Sequence, residues 1–242
     1  QLALMLNNLA ALGYIELGAD SETVTIRESL HKLTTFRSVD PLFAAFLCEQ
    51  LAWANLDEKL MTLDALLELP PGIERKLPIP DAAPPGPLRL NGLEPLMVQM
   101  GVSAAEREET HADQEYEDDW EDEPDEHAPS VPEMLKIWFE SKLPTPEPQF
   151  VQPKWITGSA VHFQCEFFKL VRAADLVKQE GLVLRHLLRM VILCGEFYAF
   201  TENPEFQEIA DLATRTCRNV DPSYTERFLS DALAAQKSRV AT

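Results

Sequence analysis

Residues 176–200 read LVKQEGLVLRHLLRMVILCGEFYAF, and their periodicity decides the fold. Wound at 100° per residue from Lys178 at zero, Arg185 falls at ~340°, Arg189 at ~20° and Glu196 at ~0°. Leu182 and Ile192 flank this stripe. Val183, Leu184, Leu187, Leu188, Met190, Val191, Leu193, Cys194 and Phe197 fill most of the remaining circumference. A helix that is apolar nearly all round is buried nearly all round. The spacing therefore predicts a central helix over 176–200 with one narrow stripe of three cations and a carboxylate. Such a stripe suits a nucleic-acid channel, with the guanidiniums on phosphates or bases of a single strand. It also suits a structural role, with Arg185 and Arg189 paired to Glu180, Glu196 or a neighbouring carboxylate. His186 lies off the stripe and reads as a satisfied packing residue.

Outward from this helix the chain reads as mainly α. C-terminal to it, Asn203-Pro204 and Asp221-Pro222 start two more helices, about 205–218 and 222–236. N-terminal to it, a helix over 159–171 follows a proline-bearing loop (Pro144, Pro146, Pro148, Pro153), and an earlier helix starts at Pro132. Asp40-Pro41 opens a helix through DPLFAAFLCEQL, and Asp57 can cap the next, over 58–69. Proline recurs from Pro70 to Pro95, which predicts an extended connector with a short helix near 93–100. Residues 1–37 read as helix, hairpin, helix. Leu2–Leu12 stops at Gly13, and Tyr14–Leu17 and Thr23–Ile26 flank a turn-prone pentad. That is the pattern of the end of a winged helix, truncated before Gln1. The wing residues Gly18–Glu22 carry acids and no Lys or Arg, which counts against a DNA reader.

Five segments follow: a partial winged helix (1–37), a helical pair (38–69), a Pro-rich connector with a short helix (70–102), an acidic linker (103–130) and a helical domain (131–242). The fold class expected is a truncated winged helix with a short β-hairpin, then a helical bundle interrupted by Pro-rich and acidic segments. The chain begins inside an amphipathic helix, so it reads as the C-terminal part of a larger protein.

The net charge is −19, but it is concentrated. Between Glu106 and Glu126 there are 13 acids and one Arg, a net of −12. The rest is only mildly acidic and leaves room for a cationic strip. The run has few apolar anchors beyond Tyr116 and Trp120, and its composition predicts disorder. It could dock a basic protein partner or occupy a nucleic-acid channel in self-inhibition.

Several chemistries find no support. The sequence holds no GxxxxGK[ST] loop, GxGxxG turn, GxSxG elbow or HExxH pair. The acidic strings nearest to a DExD/H tetrad lie inside the acidic run, where no strand could aim them. Cys48, Cys165, Cys194 and Cys217 form no CxxC pair, so neither a zinc site nor a redox motif is indicated. Reduced cysteines and the lack of a basic leader point to a cytoplasmic protein. No apolar run reaches the ~18 residues of a membrane span, so no membrane partner is expected.

The stretch KQEGLVLRHLLRMVILCGEF resembles the C-terminal helical region of bacterial DEAD/DEAH-box helicases related to the superkiller and antiviral helicases. The motif is Glu180, Gly181, Leu182, Val183, Arg185, Leu187, Leu188 and Arg189. DPLFAAFLCEQL (40–51), LELPPGIERKLPIP (67–80) and EIADLATRTCRNVDP (208–222) are similar to strings of a bacterial subgroup of the same helicases, in the same order. The resemblance implies an ATP-dependent RNA helicase whose RecA-like domains precede Gln1. It implies that α-helix 176–200 is a ratchet helix on the translocating strand, with Arg185 and Arg189 as contacts and Lys178 as a weaker one. ATP and Mg²⁺ would belong to the parent protein. The piece itself carries no catalytic residue, metal or cofactor, and would not hydrolyse nucleotide alone. Its implied partners are single-stranded RNA, with DNA as the alternative, and the helicase's own motor domains.

Overall fold

The computed structural model describes residues 2–18, 23–80, 84–102, 128–144 and 148–240. These residues are mainly helical, with one two-stranded antiparallel sheet among them. The wing tip and most of the acidic linker expected from the sequence fall outside the described residues.

Helix α1 (Leu2–Ala11) ends where Gly13 takes φ +76, letting the Gly13 and Tyr14 N–H groups bond back to Ala10 and Leu9. Strands β1 (Ile15–Leu17) and β2 (Val24–Ile26) pair with Ile15 opposite Ile26. A short α2 (Ser29–Leu33) follows. Helix α3 (Pro41–Leu51) starts as the sequence predicts. Asp40 caps it, accepting from the Leu42 and Phe43 N–H groups at 3.0 and 2.9 Å.

Helix α4 (Leu56–Ala65) departs from expectation at both ends. Its cap is Asn55, not Asp57. Asn55 accepts from the Glu58 N–H while the Glu58 carboxylate accepts from the Asn55 N–H. It stops at Ala65 rather than Leu69 because a distant segment captures the backbone there. The Gln152 N–H donates to the Ala65 carbonyl, and the Gln152 amide bonds both N–H and C=O of Leu69.

The connector is less extended than its prolines suggest. It forms α5 (Pro71–Glu74), a π-helical turn (Arg89–Leu93) and α6 (Glu94–Gln99). The reason is Glu58, almost fully buried, whose carboxylate also accepts the Leu88 and Arg89 N–H groups at 3.2 and 2.7 Å. Gly86 permits this approach, since a Cβ there would lie 2.2 Å from the Glu58 carboxyl carbon.

After α7 (Val131–Lys142) the expected helix over 159–171 is two helices, α8 (Thr157–His162) and α9 (Phe167–Ala173). Gln164 and Cys165 break it in the left-handed region, at φ 54 and 64. The central helix is also shorter than predicted. Asp175 turns at φ 51, residues Val177–Gln179 form a 3₁₀ turn, and α10 runs from Glu180 to Thr201. Helices α11 (Pro204–Arg218) and α12 (Pro222–Val240) begin at the two predicted Asx-Pro breaks.

Helix α10 joins two cores. Its first half puts Val183, Leu187 and Leu188 into a smaller cluster with Leu69, Ile73, Ile156, Leu170 and Leu176. Its second half puts Met190, Leu193, Cys194 and Phe197 into a larger cluster built from α3, α4, α7 and α11. Aromatic rings tie that larger core together: Phe43 to Phe139 at 5.0 Å, Phe46 to Trp138 at 5.2 Å, and Phe197 to Phe206 at 5.3 Å between centroids. Residues within 33–67, 88–97, 131–143 and 190–213 thus share one interior.

Candidate nucleic-acid interface

The two faces of α10 carry different chemistry. The inward face meets a dry polar centre on Asp64, a residue with no exposure in the middle of the apolar run LMTLDALLEL. Asp64 Oδ2 accepts from the Ile156 and Thr157 N–H groups at 2.9 and 2.8 Å. Its Oδ1 accepts from Thr157 Oγ1 at 2.7 Å and meets His186 Nε2 at 2.8 Å. One carboxylate on α4 therefore caps α8 and pins α10.

Burial holds the His186 pKa below its usual 6.5, against the opposing pull of Asp64. A neutral imidazole facing a carboxylate must present its N–H on Nε2. Its Nδ1 is then a buried acceptor, and it has no hydrogen-bond partner among the described residues. Nearby, Lys154 is wholly buried and donates to the Gln152 carbonyl at 2.8 Å. Burial drops its pKa to about 8, with Asp64 and Glu74 opposing and Arg189 adding to the fall. His186 packs in the interior as expected, but it is not fully satisfied, since its Nδ1 has no partner among the described residues. Its partner, however, is a carboxylate on α4 that sequence reasoning missed. The available signal was an acid standing alone in an apolar helical run.

The outward face carries the stripe. Arg185 is exposed and Arg189 partly so, one turn apart, about 6 Å of rise along α10. Arg185 makes no hydrogen bond or ion pair with any described residue. Arg189 donates to the Glu68 carbonyl at 3.1 Å, and no described carboxylate pairs with it. The salt bridges to Glu180 or Glu196 that the sequence allowed are not formed. Lys178 is exposed but sits in the 3₁₀ turn before α10, so the 100° winding that aligned it with the arginines does not reach it.

Glu196 is on the stripe but is occupied otherwise. It is buried and accepts from the Arg37 N–H at 3.1 Å, the Ser38 N–H at 3.2 Å and Ser38 Oγ at 2.9 Å. Burial raises its pKa, and these hydrogen bonds pull it back. The effect on the surface is that Glu196 fixes the backbone of Arg37, another exposed cation, against α10 two turns beyond Arg189. The face thus combines Arg185 and Arg189 with a third arginine that no helical periodicity could have placed there.

Cys48, Cys194 and Cys217 are buried, and burial pushes the Cys217 thiol up to about 12, so it is inert at neutral pH. Among the described residues, no group of three or more His, Cys, Asp or Glu is arranged to hold a metal ion. Among them, too, no helix is long and apolar enough to cross a membrane. No protein-family model, no curated protein and no solved structure matches the chain.

Proposed function

We propose that this chain is a C-terminal accessory region of an ATP-dependent RNA helicase, contacting single-stranded RNA through the outward face of α10 and bracing RecA-like motor domains. In this reading α1 and the β-hairpin are the end of a winged helix, and the remaining helices form the bundle behind the ratchet-like α10. Arg185 and Arg189 meet the strand, with Lys178 at its edge. ATP and Mg²⁺ act in the motor domains.

The observation that carries the proposal is the state of the two arginines. They stand on a helix whose other faces are locked in two cores, and no described carboxylate neutralises either of them. An arginine with no carboxylate partner keeps its charge available to a polyanion.

The test is fluorescence anisotropy with a labelled single-stranded oligoribonucleotide at rising salt. Binding should weaken as salt rises, and Arg185→Ala with Arg189→Ala should lower affinity roughly tenfold and flatten the salt slope by about two charges. Unchanged affinity in the double variant would sink the strand-contact role. Deleting 106–126 checks the self-inhibitory alternative, which requires affinity to rise.

A further inference from the structure

Of the two arginines on the outward face of α10, Arg189 is the one whose guanidinium is held. Its Nη1 donates to the Glu68 carbonyl at 3.1 Å. That carbonyl belongs to the Glu68–Leu69 peptide group, and the other end of the same group is also taken. The Leu69 N–H donates to Gln152 Oε1 at 2.9 Å. The N–H and C=O of a trans peptide point in opposite directions. Gln152 and Arg189 therefore grip one rigid plane from its two sides, and a turn of that plane would break both bonds together.

The Gln152 side of this grip is fixed in its turn. Nε2 donates to the Leu69 carbonyl at 2.9 Å, so the amide bonds Leu69 at both N–H and C=O. Lys154, wholly buried, donates Nζ to the Gln152 carbonyl at 2.8 Å and to Oε1 at 3.3 Å. The amide thus has one orientation, because a flipped NH₂ would face two donors, the Leu69 N–H and Lys154 Nζ. Anchoring the segment does not require the amide. The Gln152 N–H bonds the Ala65 carbonyl, the Trp155 N–H bonds the Leu77 carbonyl, and the Ile156 and Thr157 N–H groups bond Asp64. Any residue but proline at position 152 would make the same backbone bond. What the Gln152 side chain adds is a direction for one peptide plane, and that plane holds Arg189.

We propose that Gln152 is a positioning residue for Arg189: its amide fixes the Glu68–Leu69 peptide group, whose carbonyl holds the Arg189 guanidinium in one direction for contact with a single strand. The inference rests on the strand-contact reading of α10. It also separates the two arginines, since Arg189 is aimed beforehand and Arg185 is not. A long side chain aimed before its ligand arrives loses less conformational entropy on binding, an advantage of roughly twofold to tenfold in affinity.

The experiment is a set of double-substitution cycles on the full chain, read by anisotropy with a labelled single-stranded oligoribonucleotide of about 15 residues. Gln152→Met keeps the length of the side chain and removes its polar group, and a thermal melt shows whether it folds. It should weaken binding about threefold. In the Arg189→Ala background it should have no further effect, and in the Arg185→Ala background it should keep its whole effect. Gln152→Glu retains an acceptor for the Leu69 N–H, so Arg189→Ala should cost as much in that chain as in the unaltered one. A residue that merely stabilised the fold would not distinguish the two arginines. Equal weakening by Gln152→Met in both backgrounds, no weakening at all, or a Gln152→Met chain that does not fold overturns the positioning role, as does an Arg189→Ala chain that binds like the unaltered one. In each of these cases weaker binding by either single arginine variant keeps the reading of α10. If neither arginine variant binds more weakly, that reading falls and the positioning role falls with it.

Discussion

The inward and outward faces of α10 use charge in opposite ways. Inward, Asp64 gathers two backbone N–H groups, a hydroxyl and an imidazole, and every one of them is shut off from water. Outward, Arg185 touches no described partner, and Arg189 reaches only a carbonyl. A buried charge is tolerable only when it is fully partnered, so the inner arrangement is what a stable interior demands. An exposed cation needs no partner to be stable and gains little from one. The fold therefore accounts for Asp64 and His186, and it leaves Arg185 unaccounted for. That difference, more than the helical periodicity, separates residues held for structure from residues free for a ligand.

The comparison breaks most readily at Asp64. Asp64→Ala would strand four buried donors at once, and the expected loss is about 3–5 kcal/mol of unfolding free energy in a urea titration. α8 would lose its N-terminal acceptor and α10 its anchor, so affinity for a strand should fall with stability. A loss below about 1 kcal/mol would mean that water reaches the centre, and the contrast between the two faces would then be one of degree.

A smaller effect sharpens the same contrast through pH. The folded-state pKa of His186 lies below its ordinary value of 6.5. As pH falls below 6.5 the unfolded chain takes up a proton that the folded chain refuses, so stability present above that pH is lost on acidification. The slope from this one group cannot exceed about 1.4 kcal/mol per pH unit. Urea titrations between about pH 7.5 and 5.5 should show a decline within that bound in the unaltered chain. In His186→Gln that decline should vanish. An equal decline in both would assign it to another group and leave His186 protonated in the fold.

Much of this architecture is legible in the sequence, and the illegible part has a common cause. Asp40-Pro41, Asn203-Pro204 and Asp221-Pro222 start helices where local chemistry says they must, because a cap and a fixed φ act within a few residues. The pairing of Arg185 and Arg189 on one side of α10 follows from spacing alone, whereas Lys178 falls off the helix and Glu196 is buried. What was hidden are the long-range carboxylate joints. Glu58 holds 88–89, Asp64 holds 156–157 and Glu196 holds 37–38, each through backbone N–H groups far away in the chain. A backbone N–H belongs to every residue but proline, so its partner leaves no mark in the sequence. The turns at Gln164, Cys165 and Asp175 are hidden for a related reason. They take left-handed conformations without a glycine to announce them, held by the packing on either side.

The least disruptive substitution gives the sharpest reading of the outer face. Arg185→Ala removes a side chain that contributes no described hydrogen bond or ion pair, and alanine is the better helix former. Unfolding free energy should change by less than about 0.5 kcal/mol in either direction, against several for Asp64→Ala. If the guanidinium serves a strand, affinity for RNA should nonetheless fall by about threefold to tenfold, with a shallower salt dependence. Stability and binding would then respond to different faces of one helix. A stability loss of 1 kcal/mol or more would instead show that Arg185 has a structural partner, and the claim that α10 presents an unneutralised face would fail with it.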